Sequence, residues 1–155
     1  MLVDGDEAPQ FELSGDDGRL IRLCELKGRP VVIYFYPKDD TSGCTAEAKD
    51  FSALIGEFTG AGAEVIGISP DGTASHQRFK SKYHLTVRLA ADEQRTAAEA
   101  YGVWVEKSMY GKSYMGVERS TFLLDKAGRI AKCWRKVKVP GHAEEVLAEL
   151  RRLIG

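Results

Sequence analysis

The chain has 155 residues, 43% of them hydrophobic and 29% charged, with 22 Lys and Arg set against 23 Asp and Glu. That length suits one domain with its own core over residues 1–155, and the near balance of charge leaves no field that would hold nucleic acid or an anionic membrane surface. No apolar run approaches the ~20 residues of a membrane span, and the start Asp4-Gly5-Asp6-Glu7 is acidic where a signal peptide is basic and then apolar, so the cytoplasm is the expected compartment.

Phe11–Leu13 and Leu20–Leu23 flank Ser14-Gly15-Asp16-Asp17-Gly18, which reads as an N-terminal β-hairpin around a Gly-rich turn. The run Val31-Val32-Ile33-Tyr34-Phe35-Tyr36 is β-branched and aromatic throughout, as a strand buried on both faces requires, and Pro37 ends it. Beyond it, Phe51, Leu54, Ile55 and Phe58 fall at helical spacing and predict a helix over about 44–60. Strand 64–69, helix 73–83, a short strand at 87–90 and a short helix at 93–100 continue an alternation that argues for an α/β fold.

A stretch rich in Gly, Lys and Tyr reads as a loop. Strand 119–125 then turns across Asp125-Lys126-Ala127-Gly128 into strand 129–137, which makes the central sheet mixed. The last helix, 142–154, sets Ala143, Val146, Leu147, Leu150, Leu153 and Ile154 on one face and should pack on the sheet.

Three cysteines, Cys24, Cys44 and Cys133, form neither a disulfide framework nor a zinc-ligand pattern, so reduced thiols are expected and no metal or other cofactor is implied. Cys44 differs from the others in position: it follows a buried strand, a Pro and a Thr-x-Gly turn, in the first turn of a helix. Free N–H groups and the positive end of the helix dipole favour an anion there and lower a thiol pKa. Ionisation alone does not suffice. A thiol of pKa ~8.5 is about 3% ionised at pH 7, so full ionisation raises reactivity only about thirtyfold, near 2 kcal/mol. Fast chemistry also needs an oriented substrate and support for developing charge.

The spacing Pro37-x3-Thr41-x2-Cys44-Thr45-x-Glu47 resembles the active-site signature of the peroxiredoxins, thiol peroxidases on a thioredoxin-like fold. Tyr34-Phe35-Tyr36-Pro37-Lys38-Asp39-Asp40-Thr41 and Gly116-Val117-Glu118-Arg119-Ser120-Thr121-Phe122 resemble the branch called bacterioferritin comigratory protein or peroxiredoxin Q, and the likeness runs from about Gly5 to the C-terminus. It implies a mixed central sheet flanked by helices, Cys44 as the reacting thiol, and Thr41 and Arg119 as the groups that hold a peroxide. Chemistry agrees: one hydroxyl can donate and accept, and a guanidinium adds fixed charge and a donor fork. Other readings of these residues are a helix N-cap at Thr41 and a surface charge at Arg119. Pro37, lacking an N–H, would close the pocket without a competing donor; the N–H groups of Gly43 and Cys44 would complete the anion site, and Glu47 would orient Arg119.

The histidines read as structural or solvated, with His76 and His84 bracketing a polar helix and His142 opening the last one. Trp104, Tyr110, Tyr114 and Met115 either line a substrate mouth or simply pack. Where members of this branch carry a second, resolving cysteine, five residues after the first or on the helix matching 73–83, this chain has Lys49 and no Cys, and Ser42 stands where Pro is usual. Cys24 and Cys133 are weak resolving candidates. The expected enzyme is a one-cysteine peroxidase, monomeric by default. Its partners are a peroxide and an external thiol such as thioredoxin, glutaredoxin or a small thiol. A different class of function, a peroxide sensor or exchange protein that passes oxidation to a partner, fits the same cysteine.

Overall fold

A computed structural model describes residues 1–155. In chain order the elements are β1 (Glu12–Gly15), β2 (Leu20–Arg22), a 3-10 turn (Leu23–Leu26), β3 (Val31–Phe35), α1 (Ser42–Ala53), α2 (Ile55–Gly60) and β4 (Glu64–Ser69). There follow α3 (Thr73–Tyr83), β5 (Arg88–Ala91), α4 (Thr96–Ala100), β6 (Trp104–Met109), β7 (Lys112–Val117), β8 (Ser120–Leu124), β9 (Ile130–Trp134) and α5 (His142–Ile154). Seven strands form one mixed sheet in the order β2-β1-β5-β4-β3-β8-β9, with β3, β4 and β5 parallel and the flanking pairs antiparallel. The expected N-terminal hairpin is β1–β2.

The alternation along β3 divides the core. Val31, Ile33 and Phe35 face a layer with Phe11, Leu13, Ile21, Tyr101 and Phe122, while Val32 and Tyr34, with Tyr36 beyond the strand, face one with Cys44, Phe51, Phe58, Phe79, Val146 and Leu150. A strand with apolar side chains on both faces is stable only when both are covered, which is why β3 lies in the interior of the sheet. Tyr34 stacks on Phe51 with ring centroids 4.6 Å apart, a contact worth about 0.5–1.5 kcal/mol beyond area burial. Gly67 of β4 makes this possible: a Cβ there would stand 2.6 Å from the Tyr34 ring and hydroxyl.

Several expected elements differ in the structure. The helix expected over 44–60 begins at Ser42 and breaks at Leu54 (φ −100°, ψ 3°); Gly56 and Gly60 weaken helix continuation in the segment beyond. The loop expected ahead of strand 119–125 contains the hairpin β6–β7, closed by Tyr110 (φ 53°) and Gly111 (φ 75°), the two left-handed residues that a type I′ turn demands. Shorter bounds also hold for α4, which starts at Thr96, and for β9, which ends at Trp134.

Candidate active site

Antiparallel pairing of β3 with β8 sets Phe35 opposite Ser120, so Arg119, in the short link between β7 and β8 and not in the strand expected to start there, lies beside the exit of β3 where the Cys44 loop begins. Two segments 75 residues apart thereby meet. Arg119 Nη2 donates to Cys44 Sγ at 3.3 Å and Nη1 to Glu47 Oε1 at 2.6 Å. Cys44 is 1% exposed. Gly43 favours this approach, because a Cβ there would sit 3.1 Å from Arg119 Nη2 and press on the guanidinium. The first intrahelical bond of α1 runs from Thr45 N–H to Thr41 C=O (2.8 Å), so the N–H groups of Gly43 and Cys44 precede the hydrogen-bonded ladder, as an anion at a helix start requires.

Buried Glu47 carries two opposed influences. Burial penalises its carboxylate, Arg119 favours it, and burial wins, raising the carboxyl from 4.5 to about 7. Its Oε2 finds no hydrogen-bond partner. Burial also disfavours the Arg119 cation, but Glu47 and Cys44 outweigh this and hold its pKa above the ordinary value. Lys107, reached from β6, has its pKa lowered by burial and by facing Arg119, which brings the second hairpin to the edge of the site.

Thr41 occupies the N-cap position of α1 without capping it; its hydroxyl instead donates to Lys38 C=O at 2.9 Å. Its lone pairs remain free to accept from a peroxide O–H without any rotation, whereas donating elsewhere requires the Lys38 bond to break. Pro37 is half-buried at the exit of β3. The loop between them makes bonds that sequence reasoning missed. Asp39 is buried and accepts from Tyr36 Oη (2.6 Å) and Ser75 Oγ (2.7 Å), with His76 Nδ1 at 2.7 Å, while Asp40, in a left-handed conformation (φ 59°), bonds Lys82 Nζ (2.8 Å) and the Tyr83 hydroxyl. Four of these five partners lie on α3 and the fifth, Tyr36, precedes the loop. No local pattern in the sequence reports such cross-chain bonds.

His76 is fully buried and His142 nearly so, the latter with Nε2 2.8 Å from Thr121 Oγ1 and its pKa lowered by burial, while His84 is exposed at the left-handed end of α3. Trp104 lies under the Arg95 guanidinium, 5.0 Å from its ring centroid; Tyr110, Tyr114 and Met115 project from the second hairpin into solvent. All three thiols are free. Cys133 packs against the core layer on the other face of the sheet from Cys44, and burial, with Asp4 nearby, raises its pKa; Cys24 is exposed in the 3-10 turn. Lys49 extends along α1 to set its ammonium 5.0 Å from the Tyr83 ring centroid.

The AhpC/TSA family model matches residues 5–133. Peroxiredoxin Bcp of Bacillus subtilis is 49% identical over 95% of this chain and 94% of its own length, and the protein of that name from Escherichia coli is 40% identical over 97% and 96%. Among solved structures, the bacterioferritin comigratory protein of Xanthomonas campestris, described for its alkyl peroxide reduction activity, superposes with a TM-score of 0.90 at 45% identity, covering 94% of this chain and 92% of that one.

Proposed function

Because the chain belongs to the AhpC/TSA family, in the branch of peroxiredoxin Bcp and peroxiredoxin Q, and is a thiol-dependent peroxidase, we propose that Cys44 is its reacting thiol and works without a resolving cysteine of its own. The contact of Arg119 with both Cys44 and Glu47 carries this reading. Arg119 and the start of α1 stabilise the thiolate. The sulfur attacks one peroxide oxygen, an S–O bond forms as the O–O bond breaks, and the bonding pair leaves on the other oxygen, which takes a proton to become water or an alcohol. Arg119 stabilises the developing charge, and Thr41 Oγ1 accepts the proton-bearing end of the peroxide.

Cys44 is left as a sulfenic acid. An external thiol then displaces water to give a mixed disulfide, and a second thiolate releases Cys44. Support for a one-cysteine cycle comes from Lys49 at the fifth position after Cys44, the lack of cysteine over 73–83, and the separation of Cys133 by the sheet. Hydrogen peroxide and small organic hydroperoxides suit a sulfur this buried, and the activity of the Xanthomonas relative points the same way. The working form in this reading is a cytoplasmic monomer with reduced thiols; no helix is long and apolar enough to cross a membrane. Cys44→Ser should abolish peroxide turnover while Cys24→Ser and Cys133→Ser keep most of it with a small thiol supplied. Comparable loss in Cys133→Ser, with the fold intact, contradicts the proposal.

A further inference from the structure

His76 lies 40 positions after Tyr36 and has no hydrogen bond to Pro37, Thr41, Cys44 or Arg119, yet its ring is bonded at both nitrogens, with Nδ1 also 3.4 Å from Tyr36 Oη. Nε2 is 3.1 Å from the Ala90 carbonyl oxygen on β5, and Nδ1 is 2.7 Å from Asp39 Oδ2. A carbonyl oxygen only accepts, so Nε2 carries hydrogen. Asp39 already accepts from Tyr36 on one oxygen and Ser75 on the other, as a carboxylate does, so Nδ1 carries hydrogen too. Burial opposes that carboxylate, but the bonds from His76 and Tyr36 hold the Asp39 carboxyl below its ordinary value. Asp71 faces the same cluster from the β4–α3 connection, accepting from Asp39 N–H (2.8 Å) and Ser69 Oγ (2.7 Å).

We infer that His76, as an imidazolium paired with Asp39, is a positioning residue for peroxide reduction: it holds the 38–41 turn and with it the Lys38 carbonyl that fixes the Thr41 hydroxyl. The route is short. Asp39 adjoins Lys38, whose carbonyl anchors the Thr41 hydroxyl, and Asp40 between them is held left-handed, a conformation that persists only when surrounding contacts enforce it. Without the cation, the Asp39 carboxylate loses its directly bonded counter-charge, and the turn shifts toward water and the Arg78 and Lys82 side chains that line the same cleft. Arg119 and the α1 start are left in place, so the thiolate survives while the peroxide loses its acceptor.

This rests on Thr41 being the hydroxyl that holds the peroxide, and the experiment separates the two claims. Second-order rates of Cys44 with tert-butyl hydroperoxide and with iodoacetamide are measured for wild type, His76→Gln, Asp39→Asn, the double variant and Thr41→Val; alkylation reads the thiolate but needs no peroxide geometry. The expected result is at least a tenfold loss with peroxide and less than a twofold change with iodoacetamide for both single variants, with the double variant no slower than either. Nitrogen-15 NMR of the wild type should show hydrogen on both His76 ring nitrogens, which keeps the claim testable should His76→Gln not fold. A bare Nδ1, parallel loss of both rates, or an unchanged peroxide rate overturns the inference. If Thr41→Val keeps its peroxide rate, the reading of Thr41 fails; if it loses that rate while His76→Gln does not, only the role of His76 fails.

Discussion

Arg119 reaches Cys44 at 3.3 Å through the nitrogen that Gly43, by lacking a side chain, leaves room for. The same guanidinium is fixed by Glu47 at 2.6 Å, so its second donor is aimed by a bidentate fork that a single ammonium cannot reproduce. Arg119→Lys should therefore lose about tenfold or more in second-order rate with peroxide, roughly 1.4 kcal/mol, although charge is kept. Stopped-flow assays read this directly, and wild-type kinetics in the variant would contradict the hydrogen-bonded site.

Glu47 makes a prediction about stability. Its carboxyl rises from 4.5 to about 7 on folding, so between those values the folded chain binds more protons than the unfolded one, and this group's contribution to stability falls as pH rises through that window. Glu47→Gln keeps an oxygen for Arg119 but removes the titration. Denaturant melts of the variant should show a gain over wild type that grows from pH 5 to pH 8, reaching about 3 kcal/mol. A difference that does not change with pH would mean that Glu47 stays ionised throughout.

Lys49→Cys should not simply restore the two-cysteine arrangement common in this branch. Five residues along a helix place side chains about 140° apart, and both positions fall within α1, with Cys44 buried and Lys49 exposed. Disulfide formation therefore needs the first turn to unwind, and the Asp40 bonds to Lys82 and Tyr83 resist that. The disulfide is expected to form, but slowly relative to Cys44 oxidation, with a transient loss of helical circular dichroism. Formation as fast as oxidation, with helicity unchanged, would show a first turn that is already open.

In the proposed one-cysteine cycle the Cys44 sulfenic acid has no resolving thiol and meets a second peroxide, so modest excess without reductant should give sulfinic acid at Cys44. Tryptic mass spectra check this, and a quantitative disulfide to Cys24 or Cys133 would count against it.

The parts of the fold legible in the sequence are those that burial writes as a local period. The doubly apolar β3 and the amphipathic α5 are of this kind, whereas Pro37 through Cys44 was legible as a motif by its resemblance and not in the bonds to α3 that hold it. The hairpin β6–β7 left no such pattern: Glu106, Ser108, Met109, Ser113, Tyr114 and Met115 are exposed, so cross-strand bonds and the Tyr110-Gly111 turn hold it rather than burial. His76 was illegible for a different reason. A buried histidine on a polar helix is ambiguous until Asp39 and Ala90 are seen at its two nitrogens.

The most direct test of the account is the intact mass of the reduced protein after one equivalent of hydrogen peroxide, with and without dimedone. The expected result is the gain of a single oxygen atom per chain, converted by dimedone into an adduct that maps to Cys44, and return to the starting mass when a small thiol is added. Loss of two hydrogens with no dimedone adduct, which marks a disulfide within the chain, would contradict it.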